Sequence, residues 1–204
     1  MRIGIDFDNT IICYDQVFCD LAKSWELIEK DYQGSKHELR DTIRMLPEGD
    51  LVWQRMQGKA YGERIQKAEI FPGFKEFVAA CNADTNIEIF IVSHKTEFGH
   101  FDENRVNLRD AARQWLTDQG FFKQNFPYIN KANVFFELTR EEKIERIKSL
   151  QCTHFIDDLV EVLASPLFPD NVKRFLFQPL DEVEQQASLT KYSNWADIKN
   201  AIFS

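Results

Sequence analysis

The chain has 204 residues, 44% of them apolar, and a formal net charge of -8, which suits one domain, or one domain with a sizeable insertion, around a real core. With no long Lys/Arg cluster to offset the acidity, its surface is not built to coat nucleic acid or an anionic membrane. No apolar run approaches the roughly 20 residues of a membrane span; the start lacks the basic and long apolar regions of a secretory leader; and Cys13, Cys19, Cys81 and Cys152 form no CxxC pair, so the expectation is reduced thiols in a cytoplasmic protein.

In chain order, the first apolar run is "RIGIDF" at 2 to 7, short and apolar on both alternating faces, as in a strand covered on both sides. It runs directly into Asp6 and Asp8. From about Tyr14 to Ala68 no strand-like run follows. Two helical stripes do, Phe18, Leu21, Ala22, Trp25 and then Leu39, Ile43, Leu46. Ser35 and Glu38 stand at capping-box spacing ahead of the second stripe. Trp53, Tyr61, Arg40, Arg44 and Arg55 in this interval read as packing aromatics and solvated arginines rather than a binding surface.

Pro72-Gly73 marks a return to the first pattern. A helix carrying Phe74, Phe77, Val78 and Cys81 leads into the strand "IEIFIV" at 87 to 92, which ends at Ser93. After a polar loop, "SHKTEFGHFDEN", comes a helix with Leu108, Ala111, Ala112, Trp115 and Leu116. His94 and His100 in that loop have no further ligand at metal-site spacing. The strand "NVFFEL" at 133 to 138 precedes a second capping box, Thr139 to Glu142, and a helix with Lys143, Ile144, Ile147 and Leu150. Strands at 153 to 157 and 173 to 177 follow, the first ending in Asp157-Asp158.

Short apolar strands alternating with amphipathic helices imply right-handed crossovers and an α/β fold, a doubly wound parallel β-sheet in a three-layer sandwich. The expected domains are a core of 1–13 and 69–204 and a small α-helical insertion, 14–68, after the first strand. In such sheets, sites form outside the carboxyl ends of the strands. Asp6, Asp8, Ser93, Asp157 and Asp158 would all meet there. Converging carboxylates repel one another unless a cation intervenes, and an oxygen-only cluster suits a hard ion such as Mg2+ beside a phosphate. Lys143, just inside a helix that follows a strand end, is the favoured positive charge for a phosphoryl group, ahead of Lys148, Lys95 and Arg140.

These residues resemble the haloacid dehalogenase (HAD) superfamily. Asp6-Phe7-Asp8-Asn9-Thr10 is similar to its DxDxT motif, Ser93 to its second motif, Lys143 to its third and Asp157-Asp158 to its fourth, in the family's order along most of the chain. The helical insertion resembles the family's small cap. The resemblance implies Asp6 as nucleophile, Asp8 as general acid and base, and Ser93 and Lys143 as phosphate ligands. Asp6, the Asp8 carbonyl, Asp157 and Asp158 would hold Mg2+. An Asp at position 8 favours phosphate-ester chemistry over dehalogenation. The implied function is Mg2+-dependent hydrolysis of a small phosphorylated metabolite, a sugar phosphate or nucleotide, through an aspartyl-phosphate. A phosphomutase shares every motif, and a non-catalytic phosphate-ligand binding or regulatory protein is the alternative of another class.

Overall fold

The computed structural model describes residues 1–102, 104–125, 127–179 and 189–204. Its strands are β1 (Arg2–Ile5), β2 (Ile12–Cys13), β3 (Glu69–Ile70), β4 (Glu88–His94), β5 (Val134–Glu137), β6 (His154–Asp157), β7 (Lys173–Phe177) and β8 (Lys191–Tyr192). Its helices are α1 (Asp15–Ser24), α2 (Lys36–Arg44), α3 (Gly49–Tyr61), α4 (Phe74–Asn82), α5 (Leu108–Asp118), α6 (Arg140–Ser149), α7 (Val160–Leu163) and α8 (Trp195–Phe203).

Six strands form a parallel sheet in the order β5-β4-β1-β6-β7-β8. The first apolar run is therefore central, with Ile3 opposite Ile89 on one side and His154 on the other. The chain proceeds outward from β1 through β4 to β5 and then crosses to β6 on the far side of β1. The strand order thus reverses between β1 and β6, where open α/β sheets place their sites.

Helices cover both faces of this sheet. On one face Ile144 and Ile147 of α6 and Val162 and Leu163 of α7 pack with Phe90, Val92, Phe155 and Leu176. On the other, Trp195 of α8 meets Phe74 and Phe77 of α4, with ring centroids 4.8 and 4.9 Å apart, and the Phe177 ring at 5.4 Å. Cys81 is fully buried on α4, a small apolar packing residue. The doubly wound parallel sandwich inferred from the alternating pattern is the observed core. No helix is long and apolar enough to cross a membrane among the described residues.

The described chain divides into two compact units: Met1–Ile12, Ile70–Lys95 and Leu116–Ser204, which hold the sheet, and Cys13–Glu69 with Thr96–Trp115. The second unit is helical and has its own aromatic centre. Phe18 stacks on Trp53 at 4.7 Å, and Tyr14 meets Tyr61 edge-on at 4.7 Å. Arg40 pairs with Asp41 and Arg44 with Asp50, both as exposed ion pairs.

The helical unit includes 96–115, a stretch that the pattern of strands and helices assigns to the sheet domain. Close packing onto α3 explains the difference. A Cβ on Gly99 would lie 2.6 Å from the Cα of Gly58, so glycine at position 99 lets these backbones approach. The buried Asp102 carboxylate accepts from the N–H groups of Asn104 at 3.2 Å and Val106 at 2.9 Å, and Lys59 of α3 lies 3.8 Å away.

Candidate active site

Asp6 directly follows β1, and its N–H donates to the Ile156 carbonyl at 2.9 Å, continuing the ladder with β6. The backbone then turns sharply. The amides of Ile11 and Ile12 both donate to the Phe7 carbonyl, at 3.0 and 3.2 Å, and Asn9 has a left-handed φ of 58°. Asparagine tolerates that conformation better than most side chains do. The turn is anchored where the Trp195 indole donates to the Thr10 carbonyl at 3.1 Å.

Asp157 ends β6 with its side chain fully buried. One carboxylate oxygen accepts from the Leu159 N–H at 3.0 Å. Asp6 and Asp157 share one cation: Lys143 Nζ lies 2.6 Å from Asp6 Oδ1 and 2.6 Å from Asp157 Oδ2. Asp158 follows on the same strand end, and carboxylate oxygens of Asp6, Asp157 and Asp158 lie within 4.8 Å of one another.

Local sequence places Lys143 there. Thr139 caps α6, accepting from the Glu142 N–H while Glu142 returns a bond to the Thr139 N–H, the capping box expected from the sequence. Lys143 sits in the first turn of that helix. Its stem is buried, and its ammonium lies 5.5 Å from the centre of the Phe155 ring. Phe155 in turn needs the missing side chain of Gly4, where an added Cβ would come within 2.5 Å of the ring. Gly4 in "IGIDF" therefore supports the lysine that faces Asp6. Lys148, the alternative, is 65% exposed and pairs with Glu145 at 3.7 Å.

Ser93, the penultimate residue of β4, is buried, and its hydroxyl oxygen has no hydrogen-bond partner among the described residues. Because Ile5 lies opposite Ile91, Ser93 comes level with the residue just past Asp6. A buried hydroxyl without a partner costs free energy comparable to a lost hydrogen bond. A ligand oxygen arriving at the strand ends would relieve that cost.

The electrostatics favour a further cation. The Asp6 carboxyl is raised to about 7, the balance of burial, which pushes it up most, Lys143, which pulls it down, and Asp157 and Asp8, which push it up further. Burial alone would lower the Lys143 ammonium, but Asp157 and Asp6 overcome this and raise it, so the lysine stays charged. One ammonium facing two buried carboxylates, with a third carboxylate beside them, leaves a net negative oxygen-only site. That donor set fits a hard divalent ion.

One feature escaped the sequence reading. Lys95 is 3% exposed and lies against Asp8, not against Asp6. From sequence it stands only as a lesser alternative to Lys143. Its signal was its place two residues beyond Ser93, at the start of a polar loop where a lysine ordinarily reads as solvated.

At the level of fold, the chain matches solved HAD-superfamily hydrolases over nearly its whole length. A haloacid dehalogenase-like family protein of Streptococcus pneumoniae aligns with a TM-score of 0.62 at 12% identity, covering 100% of this chain and 98% of that one. The HAD-hydrolase YfnB of Bacillus subtilis, in a magnesium-bound form, aligns at 0.57 and 10% identity, over 98% and 97% of the two chains. A phosphoserine phosphohydrolase-like protein of Francisella tularensis gives 0.55 at 15% identity, over 98% and 99%. No protein-family model and no curated protein matches the sequence. The chain has the haloacid dehalogenase-like fold, a Rossmann-like parallel sheet with an inserted helical unit.

Proposed function

We propose that the protein is a Mg2+-dependent phosphomonoesterase that acts on a small phosphorylated metabolite through an aspartyl-phosphate. The observation that carries this reading is the arrangement around Lys143: two buried carboxylates from adjacent strand ends on one ammonium, with Asp8 two residues beyond Asp6.

In this reading an Asp6 carboxylate oxygen attacks phosphorus in line with the ester bond. As the Asp6 oxygen–phosphorus bond forms, the ester oxygen departs with its electron pair and takes a proton from the Asp8 carboxyl. A water molecule then gives a proton to Asp8 and attacks the same phosphorus, breaking the bond to Asp6 and releasing inorganic phosphate. Lys143 and the Ser93 hydroxyl bind the phosphoryl oxygens, the lysine as a compact charge and the serine as a buried donor without a partner among the described residues. Asp6, Asp157, Asp158 and the Asp8 carbonyl would hold Mg2+, which when bound supplies positive charge to the nucleophile and the transferring group.

Phosphate release from a panel of phosphorylated small molecules, sugar phosphates and nucleotides included, tests the reading. We expect Mg2+-dependent release from at least one ester, abolished by chelation. Conversion of a hexose phosphate to its isomer without phosphate release would instead identify a mutase. Tight phosphate binding with no turnover in saturating Mg2+ would identify a binding protein.

A further inference from the structure

The two acids of the opening motif are held by different lysines. Lys143 holds Asp6. Lys95 holds Asp8 at both oxygens, with Nζ 2.7 Å from Oδ2 and 3.0 Å from Oδ1.

Several contacts fix Lys95. Its backbone N–H donates to the Glu137 carbonyl at 2.9 Å, carrying the pairing of β4 with β5 one residue past His94 opposite Glu137. Its ammonium lies 5.6 Å from the centre of the Phe7 ring, which is buried and meets Phe136 edge-on at 5.8 Å. A lysine this deeply placed needs a compensating anion. Asp8, whose side chain is 18% exposed, provides one and remains open on one side.

The Asp8 backbone is fixed by the turn at Asn9, but its carboxylate could still rotate toward the charges that gather Asp6 and Asp157. A contact to both oxygens removes that freedom. Each carboxylate oxygen has two acceptor positions, and Lys95 takes one on each.

We propose that Lys95 is the positioning residue of Asp8, holding its carboxylate where it delivers a proton to the departing ester oxygen. The proposal rests on the phosphomonoesterase reading above. In this role Lys95 acts through Asp8, while Lys143 holds Asp6. Its loss therefore matters in proportion to how much the leaving group needs a proton.

The test compares kcat/KM for phenyl phosphate, a poor leaving group, and 2,4-dinitrophenyl phosphate, a good one, in wild type and Lys95→Met. This ratio reports the first irreversible step, departure of the leaving group. We expect Lys95→Met to lower kcat/KM about 100-fold for phenyl phosphate and less than about 5-fold for the dinitrophenyl ester, the span that general-acid catalysis supplies. Lys95→Arg, which keeps the charge but changes its geometry, should show the same dependence in weaker form, and it serves alone if the methionine variant does not fold. Equal losses for both esters, with wild type active on each, would overturn the positioning role and leave the phosphatase reading intact. A wild-type protein that hydrolyses neither ester in Mg2+ overturns both.

Discussion

Replacing Lys143 by methionine should remove about 3–5 kcal/mol of stability, the cost of leaving a buried charge without its partner. The side chain is 1% exposed, and methionine approximates its stem, so packing against Phe155 survives while the charge is lost. What remains is Asp6 and Asp157, both buried, with no ammonium between them. Against a typical total of about 5–15 kcal/mol the loss is large. Mg2+ should then stabilise Lys143→Met more than wild type, because it replaces the missing charge. Thermal unfolding with and without Mg2+ measures both effects. A variant as stable as wild type in chelator would contradict the paired-carboxylate description. Phosphate release should fall about 10²–10³-fold, as for loss of one charged donor to a transferring group.

Asp6→Asn should abolish turnover, with a loss of at least about 10⁴-fold, since an amide oxygen is a far weaker nucleophile than a carboxylate. The same substitution should leave the fold intact. Asparagine still accepts from Lys143, and it removes one of the two acids that share that lysine. In chelator the melting temperature should stay level or rise, because burial already disfavours the charged form of Asp6. A melting temperature several degrees lower, about the effect of 1 kcal/mol in a chain this size, would mean that Asp6 is a structural residue first.

Much of this site was legible because its members sit where local sequence ends an element. "RIGIDF" reads as a strand whose apolar run stops at two acids, and both capping boxes appear as expected at α2 and α6. The Thr139 to Glu142 box is the reason Lys143 could be favoured over Lys148. Elements without a strong period were missed. The buried residues of α3 include Gly49, Gly58 and Ala60, which leave little apolar stripe to read. Strands β2, β3 and β8 have two residues each, below any pattern. The assignment of 96–115 to the helical unit depends on Gly58 meeting Gly99 across 41 positions of sequence. The pairing of Lys95 with Asp8 likewise spans 87 positions and exists only once β4 lies beside β1. Local propensity and spacing carry no information about such contacts.

The measurement that bears most directly on Asp6 as nucleophile is chemical trapping of the wild-type protein during turnover in Mg2+. Borohydride reduces an acyl phosphate to the corresponding alcohol, so an aspartyl-phosphate becomes homoserine, which peptide mapping by mass spectrometry locates. Conversion confined to position 6, dependent on substrate and absent from Asp6→Asn, is the expected result. Sustained phosphate release with no conversion at Asp6, or conversion at another carboxylate, would contradict an aspartyl-phosphate formed there.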